Sequence, residues 1–159
     1  MSALITAIVF AAVMSAYTFL GRSLIRLGNA DSLESGVRRT LYYFGQDAAA
    51  ATAVTTANAS QLVLSLPSGT VKYTYDSVGQ TLTRYSPSSS STGLALLSGV
   101  TSFTFDYYQS DQTTATVAAQ VKLVDLVATS VRGVAAGGAQ SHFTFASPRM
   151  MLRNKPYLQ

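Results

Sequence analysis

From Ser2 to Leu20 the chain runs through nineteen positions without a charge, a proline or a glycine. As a helix this stretch spans about 28 Å, close to the thickness of a bilayer's hydrocarbon core. No water-soluble fold tolerates such a rod left bare, because contiguous apolar surface of that size aggregates. It must be covered by lipid or by identical neighbours. A cleaved secretion signal needs a basic leading region and a small-x-small cleavage site. Only Met1 precedes the run, and Met14 fills the upstream small position of a cut at Ala16. A plain membrane anchor fits the length, but Arg22 and Arg26 would then draw the following domain to the cytoplasmic side.

The apolar pattern continues past the run. Leu20, Leu24, Leu27, Leu33, Val37, Leu41 and Phe44 recur at spacings near three, four and seven, with Arg22, Arg26, Asp31, Glu34, Arg38 and Arg39 mostly between them. This periodicity predicts one long helix, or two nearly continuous ones, over residues 2–51. Gly21, Gly28 and Gly36 are its soft points, since glycine costs about 1 kcal/mol in a helix interior. The expected division is a protruding hydrophobic helix over 1–28 and a globular head over 29–159.

Beyond residue 60 the period changes to two. QLVLSLP (61–67), TVKYTYD (70–76) and TLTRYS (81–86) alternate as half-buried strands do, with DSVGQ (76–80) as a turn. SPSSSSTG (86–93) reads as a low-complexity loop. GVTSFTFDYY (99–108) predicts a strand with Val100, Phe103 and Phe105 inward, residues 121–127 another, and SHFTFAS (141–147) a last one. VRGVAAGGAQ (131–140) reads as a loop, and the residues after 147 as a tail. A long helix followed by five to seven antiparallel strands is an α+β arrangement. Leu33, Val37, Leu41 and Phe44 are expected to dock the helix on one sheet face, each contributing about 1.5–3 kcal/mol if well buried.

Composition narrows the chemistry. The net charge is +4, yet only 11% of residues are charged, so the chain is charge-poor rather than basic. There is no cysteine, which excludes disulfides, zinc-thiolate sites and thiol nucleophiles. His142 is the only histidine and sits in an alternating strand pattern, where a structural role is the expectation. Asp106 and Asp111 flank YYQS, but calcium needs six to eight oxygens and no such ligand spacing is present. Neither a phosphate-binding nor a dinucleotide-binding glycine motif occurs. Arg149, Arg153 and Lys155 with Tyr157 make a basic tail, read as a solvated terminus or a subunit contact rather than a nucleic-acid site. No catalytic residue, metal or cofactor is expected, and the chain is not expected to be an enzyme.

The order of elements, with the motifs LESGVRRTLYYFGQDA, LLSGVTSFTFDYY and SPRMMLRNKP, resembles the type IV pilin-like family, which includes type IV pilins and type II secretion pseudopilins. The first motif is similar to a helix that closes on an aromatic and an acidic residue. The second is similar to a strand of the J-type pseudopilin, and the third to the tails of prepilin-like proteins. Similarity is architectural over the whole chain and motif-like over about a third of it.

This resemblance implies a structural subunit of an extracellular, pilus-like helical filament. The alternative within the family is a minor pilin or pseudopilin acting at a tip, in initiation or in cargo binding. Subunits would wait in the inner membrane, and assembly machinery would move them into a filament with a core of bundled helices. The expected partners are therefore the membrane, that machinery and identical copies, with no DNA or surface ligand assigned. Leu4, Ile5, Ala7, Ile8, Ala11, Ala12, Met14, Ala16, Phe19 and Leu20 would form the assembly helix, with Ala3 and the other alanines admitting close neighbours. The family pattern places a glutamate early in the apolar run. Here position 5 is Ile5 and no acid precedes Asp31, so the sequence is expected to begin inside the mature chain, and no cleavage or methylation site is assigned.

Overall fold

The computed structural model describes residues 2–132 and 141–156, without the side chains of 2–4, 26, 132, 141 and 142. The protein is α+β. One helix, α1 (Ser2–Ala50), runs without a break through Gly21, Gly28 and Gly36. None of the three interrupts it, because helical hydrogen bonding on either side outweighs the propensity cost of single glycines.

Among the described residues nine strands follow, more than the pattern predicts, and they form two sheets rather than one. The first is a five-stranded antiparallel meander of β1 (Ala53–Asn58), β2 (Gln61–Leu66), β3 (Gly69–Asp76), β4 (Thr81–Tyr85) and β5 (Leu94–Ser98). The second contains β6 (Val100–Tyr108), β7 (Leu123–Arg132) and β8 (Ser141–Ala146), in that order. A short β9 (Met150–Met151) pairs with the start of β7. β1, β5 and β9 lie outside the strands expected from periodicity, and β7 extends beyond residue 127 to take in Val131 and Arg132. The rest of the expected loop, 133–140, lies outside the described residues.

Gly99 turns the chain from one sheet to the other. Its φ of +70° lies in the left-handed region that glycine enters without steric cost. Its carbonyl accepts hydrogen bonds from Val131 N–H and from the Ser130 hydroxyl, each at 2.9 Å, so the pivot is fixed to β7.

The core lies between the C-terminal half of α1 and both sheets. Phe44 is fully buried and sits between them: its ring meets Tyr73 of the first sheet edge-on at 5.6 Å and Phe105 of the second at 6.1 Å. Val100, Phe103 and Phe105 face inward. Leu33 is buried, and Val37 and Leu41 are half-buried. The buried stripe on α1 also takes in Thr40, Asp47 and Ala48, so it passes through 40 rather than 41. Thr40 is accommodated because its hydroxyl donates to the Gly36 carbonyl at 2.8 Å.

The C-terminal segment is not wholly solvated: among its described residues, two are anchored in the head. Leu152 is fully buried and Lys155 is 7% exposed. The Lys155 ammonium donates to the carbonyls of Ala118, Ala119 and Val121 at 3.0, 2.6 and 2.6 Å, capping a 3-10 turn at Ala118–Gln120. The Lys122 ammonium in turn donates to the Lys155 carbonyl. Burial, then the neighbouring Lys122 charge, lowers the Lys155 pKa.

Candidate functional site

Every described residue from Ile5 to Arg22 is exposed, and burial on α1 first occurs at Leu33. Aromatic side chains are no exception: Phe19 is 71% and Tyr17 70% exposed. Such a surface has no counterpart elsewhere among the described residues, where large apolar side chains are exposed singly. The helix is long and apolar enough to cross a membrane, and no part of its apolar window is buried within the chain.

The residues expected to form an assembly helix fall on this rod. Ile5, Ala7, Ile8, Ala11, Ala12, Met14, Ala16, Phe19 and Leu20 are all exposed; the side chain of Leu4 lies outside the described residues. Val9, Phe10, Val13, Tyr17, Leu24, Ile25 and Leu27 are exposed on the same rod. The uninterrupted apolar run already contains their signal. The rod's polar positions are partly satisfied internally, since the Thr18 hydroxyl donates to the Ser15 carbonyl at 2.9 Å.

The head end of α1 also carries a buried ionic clasp that hydropathy does not reveal. Asp47, near the end of α1, accepts a bidentate contact from Arg84 of β4, at 2.7 Å from Nε and 3.0 Å from Nη2. The Tyr73 hydroxyl donates to Asp47 Oδ2 at 2.5 Å. The Arg84 guanidinium also lies 5.1 Å from the centre of the Tyr43 ring. Burial and the Asp47 carboxylate raise the Tyr73 pKa well above the usual phenol range, so it remains a donor. The same carboxylate raises the Arg84 pKa.

A groove of about 370 Å³ lies between α1 and β5, lined by Ser32, Leu33, Ser35, Gly36 and Arg39 from the helix and by residues 95–98 from the strand. Arg39 is its one ionisable lining residue, and Arg39 Nη2 donates to the carbonyls of Ala95 and Leu96 at 3.0 and 3.3 Å. That contact covers part of an edge strand, a common way to block unwanted pairing.

Asp106 and Asp125 stand directly opposite one another on β6 and β7. Burial, then Asp106, raises the Asp125 pKa, and Arg149 opposes the shift from 3.8 Å. Arg149 also stacks on Tyr108 at 4.0 Å and donates to Gln112 Oε1 at 3.1 Å. Asp111 does not converge with this pair; it accepts from the N–H and hydroxyl of Thr113. Among the described residues no group of three or more His, Asp or Glu is placed to hold a metal. His142 lies in β8, Arg153 is exposed, and Tyr157 is outside the described residues. The basic residues of the tail thus divide between a buried cap, a stacked contact and an exposed site.

No protein-family model matches the sequence, and no curated protein is significantly similar to it.

Proposed function

We propose that this protein is a structural subunit of an extracellular, type IV pilus-like helical filament, built through the apolar half of α1. The observation that carries the reading is one unbroken helix with two opposite fates. Its C-terminal half is clamped into a folded head, while residues 5–22 present apolar side chains to the outside on every face. An anchor needs only one lipid-facing rod. A filament needs the same rod to exchange lipid for neighbouring rods, and the small residues Ala7, Ala11, Ala12 and Ala16 favour that exchange by letting backbones approach. The inner membrane would hold the subunit before assembly, and dedicated machinery would extract it. A head-to-tail array of this kind does not close and grows as a filament.

Electron microscopy of the purified full chain after detergent dilution tests the reading. The expected result is thin fibres with a helical rise and rotation and with residues 2–20 in their core. Monomers that persist in detergent under all conditions, or a map with that segment facing solvent, would overturn it. A small complex with other proteins in place of a homopolymer would favour a tip or pseudopilus component.

A further inference from the structure

The exposed rod has two unlike faces, and they match each other. Arg22 and Asp31 are nine residues apart on one straight helix, which is two and a half turns, so they point in opposite directions about 13.5 Å apart along the axis. Both are exposed, and neither takes part in an ion pair among the described residues. Glu34, by contrast, is already paired with Arg38 at 2.6 Å.

The same nine-residue offset relates the apolar positions below them. On the Arg22 face lie Ala11, Ser15 and Thr18, which are small; on the Asp31 face lie Leu20, Leu24 and Leu27, which are large. Each of these three leucines sits nine positions beyond a small residue, so the match spans residues 11–27; nearer the N-terminus Tyr17 lies nine beyond Ile8, and both are large. Two parallel copies shifted axially by about 13.5 Å would therefore set leucines of one into the shallow face of the other. The Thr18 hydroxyl is satisfied by the Ser15 carbonyl, so the shallow face can be covered without orphaning it.

We infer that the occupant of this face is a second copy of the chain, in parallel and staggered by about 13.5 Å, with Arg22 of one copy paired to Asp31 of the next. The inference rests on the filament reading above and adds its register. Charge complementarity selects a copy over lipid: an anionic headgroup layer would attract Arg22 but repel Asp31 at the opposite face. Because the contact joins two different faces, every copy offers one of each, and the contact propagates.

The absence of cysteine makes the test direct. Chains carrying both Thr18→Cys and Leu27→Cys, which keep Arg22 and Asp31 and share the same nine-residue offset, are assembled and treated with a short bis-maleimide. Within one chain these positions are too far apart and too oppositely directed to be joined. The expected product is a ladder of dimers, trimers and higher multimers, whereas either single variant gives dimers at most. Separately, Arg22→Glu should cut fibre yield about fivefold, and Arg22→Glu with Asp31→Arg should restore it, as a paired charge predicts. Wild-type fibres without a ladder from the double-cysteine chain, or a double-cysteine product that stops at dimers, would overturn the register while leaving the filament intact. Failure of the wild type to form fibres at all would overturn the filament reading, and the register with it.

Discussion

The Tyr73 hydroxyl meets Asp47 Oδ2 at 2.5 Å in the interior, beside the bidentate contact of that carboxylate with Arg84. The carboxylate is thus shared by β3, β4 and the end of α1, and all three are tied by one group. Removing the acid leaves a cation 16% exposed at its side chain without its partner. Asp47→Ala should destabilise the head by about 3–5 kcal/mol, the range for breaking one side of a buried pair. Replacing Asp47 and Arg84 together by leucine and methionine, with Tyr73→Phe, should recover most of that loss. Thermal unfolding of the full chain in detergent measures both.

Alkaline pH should loosen the same clasp. The Tyr73 pKa is raised by burial and by Asp47, and the Tyr107 pKa by burial above all. A group whose folded pKa lies above its unfolded value contributes stability that is complete below the unfolded pKa, about 10 for tyrosine, and is lost as pH rises beyond it. The melting temperature should therefore hold up to about pH 9 and fall steeply above pH 10. Tyr73→Phe should flatten that fall, because one of the two buried phenols can no longer ionise. The Tyr107 hydroxyl, which donates to the Asn58 carbonyl at 2.7 Å, should account for the part that persists.

Where the sequence pattern and the fold agree, a single physical signal dominates. The exposed rod is legible because nineteen uncharged positions make one continuous helix-length apolar run. Val100, Phe103 and Phe105 alternate cleanly in a strand with one wet face. The clasp is not legible in this way: Asp47 and Thr40 are polar, and a hydropathy stripe drawn through Leu41 passes them by. They are buried because each has a partner, and partners come from β3, β4 and the preceding helical turn. β1 is rich in alanine and threonine, and β5 is nearly all apolar, so neither alternates in a recognisable way. The tail reads as solvated by its charges, yet Lys155 is buried because three backbone carbonyls converge on it.

The Asp125 carboxyl on the second sheet should titrate above the usual carboxylate range. Burial contributes most to the raised pKa of Asp125, Asp106 contributes next, and Arg149 opposes both. Ionised Asp125 therefore costs stability, a cost that appears as pH rises from the usual carboxylate range through its folded pKa. Asp106→Asn should lower the Asp125 midpoint without restoring it fully, since burial remains. Arg149→Gln should move it further up. Carbon-detected NMR titration of the Asp125 carboxyl reads both directions.

Lys155 should matter far more than a residue of a solvated tail. Its ammonium serves three carbonyls, and Lys155→Met would keep the apolar stem but leave those oxygens without the donor. At about 1–3 kcal/mol for a buried polar group left unpaired, the loss should reach about 3 kcal/mol. Hydrogen exchange should place the change locally, with Leu152 N–H, which donates to the Lys122 carbonyl at 2.9 Å, losing protection first. Arg153→Met, at an exposed position, should leave both measurements unchanged.

At Gly36, α1 approaches β5 of the first sheet closely. A β-carbon there would lie 3.2 Å from Leu97 Cδ2 and 3.3 Å from the Leu96 carbonyl oxygen. The leucine methyl can move, but the carbonyl belongs to β5 and is held by the Arg39 guanidinium. Gly36→Ala sets a helix-propensity gain of about 1 kcal/mol against that contact, and the two should nearly cancel. Gly36→Val adds two methyls in a space that has none, and overpacking should cost about 2 kcal/mol. Because the strain falls on the seam between helix and β5, the valine variant should also expose Leu33 and Leu97, which are 4% exposed in the native head. Increased binding of a hydrophobic dye by Gly36→Val, but not by Gly36→Ala, would establish that the glycine is there for the approach of the two backbones.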